Sequence, residues 1–195
     1  GDHRDLHAFP TRRSSDLREV QGVDAEIWLH TCWGNPAQQR LVTNPTYERA
    51  IAHLFEVNAD VVTFEAAGSG GKDLPLFAQH ETNKKVAIGV VNHTNTVVES
   101  PEQVAGLIRR ALEFVPVERL IISTDCGFGR EGISRRIAFH KCVALVQGTN
   151  IVRKELGLPE TVVRAARSEE HTSELQSRAY RVCRLLLEKK RAQAR

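Results

Sequence analysis

The amino-acid sequence predicts an α/β fold, and within that class the C-terminal half of a (βα)8 TIM barrel. Short apolar runs rich in β-branched residues alternate four times with stretches whose apolar residues recur at helical spacing. This alternation is typical of a parallel sheet covered by helices. A complete barrel needs about 250 residues, and the segment with this pattern, residues 19–163, is a little over half as long. A doubly wound open sheet is the alternative, although no glycine-rich dinucleotide fingerprint follows any predicted strand.

The first βα unit begins with a strand predicted over residues 25–32, and the turn-forming sequence Gly34-Asn35-Pro36 ends it. Asn44 is predicted to cap the helix that follows. Pro45 would take the first helical position, where its missing N–H costs nothing. The residues at helical spacing that form the predicted stripe of this helix are Tyr47, Ile51, Leu54, Phe55 and Asn58.

Three further units follow along the chain. Their strands are predicted over residues 60–67, 86–91 and 120–124. A short helix is expected near residues 74–78. Ser100 is predicted to cap the next helix, with Pro101 at its first position and Gln103 completing a capping box. The last helix is predicted over about residues 134–156. Each of the four predicted strands is thus followed by a helix.

Both ends of the chain lack periodicity and look foreign to the domain. A stretch within each of them resembles an in-frame translation of the adapter oligonucleotides used in short-read sequencing libraries. We therefore interpret residues 1–18 as a non-native flank and residues 164–195 as a non-native or disordered tail, and exclude both from the fold prediction. An ordinary disordered tail is the alternative. Residues 178–195 are compatible with a short helix, and Cys183 within them is assigned no role.

Composition bounds the class of protein. The chain of 195 residues is 41% hydrophobic and has no apolar run of the roughly 18 residues that cross a bilayer. No signal peptide is visible, so we expect a soluble, cytoplasmic chain. The formal net charge of +3 arises in the flanks, because residues 19–163 carry 14 basic and 17 acidic side chains. We expect neither nucleic acid nor membrane as a partner. Four widely spaced cysteines favour metal binding or burial over disulfides.

The residues that carry chemistry follow the predicted strands, which is where the active sites of barrel folds are built. They are His30 and Cys32 at the end of the first strand, Glu65 near the end of the second, His93 just after the third, and Asp125 and Cys126 just after the fourth. Residues at i and i+2 of a strand share a face, so the first two would point the same way. Imidazole, thiolate and carboxylate all bind zinc, and an exchangeable fourth position marks a catalytic site. The plain alternatives stay open. A cysteine on a strand is most often a small buried hydrophobe, and we expect the same of Cys142 on the apolar face of the last helix. Glu65 could pair with a basic residue.

Four motifs at these strand ends, in this order, resemble one family. They are Leu29-His30-Thr31-Cys32-Trp33-Gly34-Asn35, Val62-Thr63-Phe64-Glu65, Gly89-Val90-Val91-Asn92 with Val98-Glu99-Ser100, and Thr124-Asp125-Cys126-Gly127. Over residues 22–160 the chain resembles the C-terminal catalytic barrel of cobalamin-independent methionine synthases. The resemblance implies a zinc cofactor held by His30, Cys32, Glu65 and Cys126, with the glutamate yielding its place to the substrate thiol. It also implies methyl transfer from a folate-like donor, 5-methyltetrahydrofolate, to the small-molecule thiol homocysteine in methionine biosynthesis.

Two departures from the family pattern leave the thiol acceptor open. The family carries Asp-x-His after the third strand, whereas this chain has Asn92-His93-Thr94, with Thr94 where the proton-donating histidine is expected. His93, one residue away, becomes the candidate catalytic residue for proton transfer. The Cys-Trp-Gly-Asn form also resembles epoxyalkane:coenzyme M transferases, zinc enzymes of the same superfamily that alkylate another thiol. Asp125, beside Cys126, is expected to orient a ligand or to serve the structure. A third possibility is a zinc-binding fragment that catalyses nothing.

Overall fold

The computed structural model describes residues 20–33, 44–129 and 132–162, together with the backbone of Leu185 and Leu186. Within these residues four parallel strands follow one another in chain order. They are β1 (Trp28–His30), β2 (Val61–Phe64), β3 (Lys85–Gly89) and β4 (Leu120–Ser123). A doubly wound sheet reverses its strand order at a switch point, and these strands do not. The predicted α/β fold, with four parallel βα units arranged as in half of a barrel, is confirmed.

Helical segments follow each strand and cover one face of the sheet. They are α1 (Ile51–Glu56), a 3-10 helix (Leu74–Ala78), α2 (Pro101–Leu112) and α3 (Arg135–Glu155). The predicted capping box of α2 is present, because the Ser100 hydroxyl accepts the Gln103 N–H and the Gln103 side chain accepts the Ser100 N–H. The Ser134 hydroxyl caps α3 in the same way, by accepting the Ile137 N–H. Local side-chain chemistry therefore sets the start of both long helices.

The prediction that Asn44 caps the first helix is wrong, because α1 begins later, at Ile51. Its N-cap is Ala50, which makes no side-chain capping hydrogen bond, and Asp73 accepts the backbone N–H of Tyr47 at 3.0 Å. Asn44 instead accepts a hydrogen bond from the Lys72 ammonium group at 2.7 Å. The hydrogen bond from Tyr47 to Asp73 therefore precedes a turn, residues 48–50, that leads into α1. Tyr47 and Ile51 are nevertheless buried, as their spacing predicted.

The two faces of the sheet have different surroundings. Toward the helices, the strand residues Val62, Phe64, Val86, Ile88, Leu120 and Ile122 pack in one core with Ile51, Val104, Ile108 and Leu145. On the other face, Val61, Ala87 and Ile121 form a second cluster with Trp28. His30 and Thr63 are each two residues beyond a member of this second cluster, and so they lie on its face. In a barrel this face lines the interior, and it leads to the carboxyl ends of the strands.

The flanks lie outside the described residues except for one short element. Leu185–Leu186 forms a two-residue strand, β5, that pairs antiparallel with β4. Leu185 and Leu186 therefore form a strand. The sequence alone is compatible with a short helix there. The interpretation of residues 1–18 and 164–195 as non-native stays a prediction, and Cys183 lies outside the described residues. No helix in the described part of the chain is both long and apolar enough to span a bilayer, and the cytoplasmic location stays a prediction.

Candidate metal centre

The carboxyl end of the sheet brings His30, Cys32 and Cys126 together. The Nε2 atom of His30 lies 3.5 Å from the Sγ atom of Cys126. One potential ligand atom from each of the three side chains lies within 4.8 Å of the other two. In a flat sheet the backbones of β1 and β4, three strand spacings apart, would be separated by about 14 Å. The contact therefore depends on a curved sheet, and it unites three of the four side chains predicted as zinc ligands.

The geometry of this His-Cys-Cys group fits a zinc ion. Tetrahedral zinc with Zn–S bonds of about 2.3 Å and Zn–N bonds of about 2.1 Å separates its sulfur and nitrogen ligands by about 3.6 Å. The observed distance between His30 Nε2 and Cys126 Sγ is 3.5 Å. Cys32 is exposed and Cys126 is half-buried, so the group is accessible to a solvent-borne ligand. Two sulfurs and one nitrogen also match the preference of zinc for such donors.

Thr63 is part of this site; the sequence analysis named it within the second motif but gave it no role. The parallel register of β1 and β2 pairs His30 with Thr63, and the Oγ1 atom of Thr63 lies 2.9 Å from the Nδ1 atom of His30. The same oxygen accepts the backbone N–H of Thr31 at 3.1 Å. Burial lowers the pKa of His30, which favours the neutral imidazole that binds metals. A threonine in a strand carries no special signal in sequence, because β-branched residues are common there.

Glu65, the fourth predicted ligand, lies in a neighbouring buried group with His93 and Asp125. Ligand atoms of these three side chains lie within 4.8 Å of one another, and their residues are 7%, 1% and 2% exposed. The Glu65 carboxylate accepts the backbone N–H of Trp33 at 3.2 Å. Burial is the main cause of the raised pKa of Cys126, and the Glu65 charge adds to it. Trp33, which donates to Glu65, directly follows Cys32 in the chain. The structure thus divides the predicted site into a His-Cys-Cys group and an adjoining Glu65-His93-Asp125 group.

Asp125 ties the end of β4 to the segment after β2. Its carboxylate accepts the backbone N–H groups of Ala66, Ala67 and Gly68 at 2.8, 3.0 and 2.7 Å. Burial raises the pKa of Asp125 to about 6, against the opposing effect of these three hydrogen bonds. A Cβ atom at Gly89 would overlap the Asp125 backbone and carboxylate. The glycine therefore allows Asp125 to pack directly against the end of β3. Asp125 therefore fixes the backbone that follows Glu65. Because Asp125 is also the neighbour of Cys126 in the chain, it connects the two groups of the site.

Three aromatic residues, Tyr47, Trp33 and Phe64, pack together beside Glu65. The phenol oxygen of Tyr47 accepts the backbone N–H of Glu65 at 3.0 Å. The ring of Tyr47 packs on that of Trp33, with centroids 4.5 Å apart, and edge-on against Phe64 at 4.9 Å. Burial raises the pKa of Tyr47 far above its usual value, so the phenol keeps its proton. Tyr47 thus holds the backbone N–H of Glu65, and Asp125 holds the N–H groups of the residues that follow it.

Zinc affinity is expected to rise with pH. Burial, reinforced by the neighbouring Cys32, raises the pKa of Cys126 to about 11. The Cys126 thiol is therefore protonated in the metal-free chain at neutral pH, and zinc must displace that proton. Each unit by which pH is lowered should weaken binding about tenfold through this thiol alone. Chelator competition from about pH 6.5 to about pH 8.5 measures the slope. An affinity that does not change with pH would exclude Cys126 as a ligand.

The fold and the site together define a class of protein: a βα-barrel segment with a metal-ligand set at the carboxyl ends of its strands. Comparison with known proteins gives the family. The family model described as "Cobalamin-independent synthase, Catalytic domain" matches residues 15–147. The chain belongs to the cobalamin-independent methionine synthase family, as its strand-end motifs predicted.

Individual relatives agree with this assignment. The chain is similar to methionine synthases of Saccharolobus solfataricus (34% identical over 137 residues) and Thermococcus kodakarensis (35% over 139 residues). These alignments cover 70% and 71% of this chain and 37% of each relative. Among solved structures, a B12-independent methionine synthase from Shewanella sp. W3-18-1 in complex with selenomethionine is similar, with 28% identity and a TM-score of 0.66. That similarity covers 74% of this chain and 43% of the other. The chain thus spans little more than a third of the length of the two curated relatives.

Proposed function

We propose that this chain carries the metal-binding part of a zinc-dependent thiol S-methyltransferase. The activity it most resembles is transfer of a methyl group from a methyltetrahydrofolate donor to homocysteine, which yields methionine. The observation that carries the proposal is the 3.5 Å approach of His30 Nε2 to Cys126 Sγ, with Cys32 in the same group. The similar Shewanella protein was solved with selenomethionine. That molecule is the selenium analogue of the expected product, so its binding supports a methionine-type ligand here.

Zinc bound at this site would favour the thiolate form of a substrate thiol, which is the nucleophile that accepts an alkyl group. His30, Cys32 and Cys126 would hold the ion. Glu65, whose carboxylate lies in the adjoining group, is the proposed fourth ligand that a thiol displaces. His93 stays the predicted proton-transfer residue. It is 1% exposed and lies beside the Glu65 carboxylate, so a proton would reach it through this buried group.

A second acceptor is favoured by one observation. Thr94 occupies the position of the histidine expected in methionine synthases, and its backbone N–H and hydroxyl both donate to the Asn92 side chain at 2.7 Å. The Thr94 hydroxyl is therefore engaged within its own loop. This difference is compatible with alkyl transfer to another small thiol, such as coenzyme M.

Product analysis with the full chain separates these proposals. The zinc-loaded chain is incubated with 5-methyltetrahydrofolate and homocysteine, and in parallel with an epoxyalkane and coenzyme M. Zinc-dependent formation of methionine supports the first proposal, and alkylated coenzyme M supports the second. A chain that binds zinc without forming either product would be a metal-binding segment that needs the rest of a longer protein. That outcome is physically reasonable, because the relatives are much longer than this chain.

A further inference from the structure

We propose that Thr63 is a positioning residue of the metal centre: its side chain holds the His30 imidazole so that the Nε2 atom points toward the two cysteines. This inference rests on the proposed zinc site and adds to it a residue outside the predicted ligand set. Its basis is the contact of 2.9 Å between Thr63 Oγ1 and His30 Nδ1, on the side of the ring away from Cys126.

The two nitrogens of the His30 ring face different partners. Nε2 is directed to the Cys126 sulfur, and Nδ1 is directed to the Thr63 hydroxyl. A nitrogen that binds zinc cannot carry a proton, so in the loaded site the proton must be on Nδ1. An Nδ1–H group is a donor and needs an acceptor. Thr63 Oγ1 is the acceptor that the strand register provides.

The Thr63 oxygen has the capacity for this role. A hydroxyl oxygen has two lone pairs. One accepts the backbone N–H of Thr31 at 3.1 Å, and the other is available for His30 Nδ1–H. The Thr31 hydroxyl in turn donates to the Thr63 carbonyl oxygen. These bonds join β1 to β2 at the residue between His30 and Cys32, so one threonine orients the imidazole and the backbone that carries the first thiol.

The consequence is a requirement for an oxygen at position 63. Partners that fix the tautomer and orientation of a metal-binding histidine typically change metal affinity by about 10- to 100-fold when they are removed. Thr63→Val keeps the shape of the side chain and removes only the acceptor. Thr63→Ser keeps the oxygen and removes only a methyl group. We expect the valine variant to bind zinc about 10- to 100-fold more weakly, and the serine variant to remain close to the parent chain.

The experiment measures zinc affinity of the full chain by chelator competition, with Thr149→Val as the matched control. Thr149 is buried, and its hydroxyl donates to the Leu145 carbonyl oxygen at 2.7 Å within α3, away from the site. Its replacement removes a buried threonine hydroxyl and should leave zinc affinity unchanged. A second readout, the Nδ1–H resonance of His30 in the zinc-loaded chain, reports orientation directly. It should be retained in Thr63→Ser and should exchange faster with water in Thr63→Val.

The outcomes are distinguishable. Equal zinc affinity in the parent chain and in Thr63→Val would overturn the role of Thr63 and leave the proposed zinc site intact. Loss of affinity in Thr63→Ser as large as in Thr63→Val would also overturn it, since the oxygen would then not be the group that matters. A parent chain that binds no zinc would remove the proposed function together with this inference.

Discussion

Replacing Cys126 with serine is expected to weaken zinc binding by about a hundredfold or more. Structural zinc sites are worth about 10–16 kcal/mol of binding free energy, or about 3 kcal/mol for each of four ligands. A hydroxyl does not ionise at neutral pH and replaces a thiolate poorly. Because Cys126 and His30 are the pair in direct contact, the loss of this sulfur removes one side of the site. Cys32→Ser should have an effect of similar size.

Cys142→Ser is the matched control for both variants. Cys142 is a partly buried cysteine on α3 and does not belong to the His-Cys-Cys group. The sequence predicted a buried small side chain at this position, and the structure leaves it partly exposed. Its replacement should leave zinc affinity within about twofold of the parent value, since distant sites act independently. Undiminished zinc in both Cys32→Ser and Cys126→Ser would refute the proposed site.

Replacing Lys141 with methionine is expected to produce the largest loss of stability of any single substitution considered, about 3 kcal/mol. Lys141 lies on α3 and is 0% exposed. Its ammonium group donates to both oxygens of Glu99 at 3.0 and 3.1 Å, to Asn95 Oδ1 at 3.3 Å and to the Val97 carbonyl oxygen. Removing one partner of a buried ion pair costs about 3–5 kcal/mol, and the 17% exposure of the Glu99 side chain favours the lower figure. The midpoint of thermal unfolding should fall by about 6–12 °C.

Lys154→Met provides the control, because Lys154 lies exposed in the last turn of the same helix. It should change stability by less than about 0.5 kcal/mol. A double-mutant cycle with Glu99→Gln tests the pair itself: the combined variant should be less destabilised than the sum of the two single variants. Glu99 also accepts the Asn92 N–H at 2.8 Å, so its variant has a cost of its own. Strict additivity of the two effects would mean that the ion pair contributes nothing.

The positions of the predicted site residues could be anticipated because parallel strands end at one edge of the sheet. His30, Cys32, Glu65 and Cys126 were found by that rule alone, and the resemblance then supplied their proposed roles. The capping box at Ser100 and Gln103 was equally accessible, since all of its partners lie within four residues. Local patterns of this kind depend on backbone periodicity, which the sequence expresses directly.

Partners far apart in the chain could not be anticipated. Asp73 accepts the Tyr47 N–H, and α1 begins only at Ile51, although a cap at Asn44 satisfied every local rule. Thr63 faces His30 only because of the register between β1 and β2, which no residue in either strand specifies by itself. In sequence Lys141 looks like an ordinary helix lysine, and its buried ion pair with Glu99, which precedes α2, arises only in the folded chain. Each of these features arises from tertiary contacts that a single sequence does not encode in its periodicity.

The central claim is that the ends of separate strands place two sulfurs and one imidazole around a single zinc ion. X-ray absorption at the zinc edge of the chain loaded with one equivalent of zinc tests it most directly. We predict two sulfur ligands at about 2.3 Å and two nitrogen or oxygen ligands at about 2.0–2.2 Å, with the sulfur signal halved in Cys126→Ser. A spectrum without sulfur, or a two-sulfur spectrum that persists when Cys32 and Cys126 are both replaced by serine, would contradict the account.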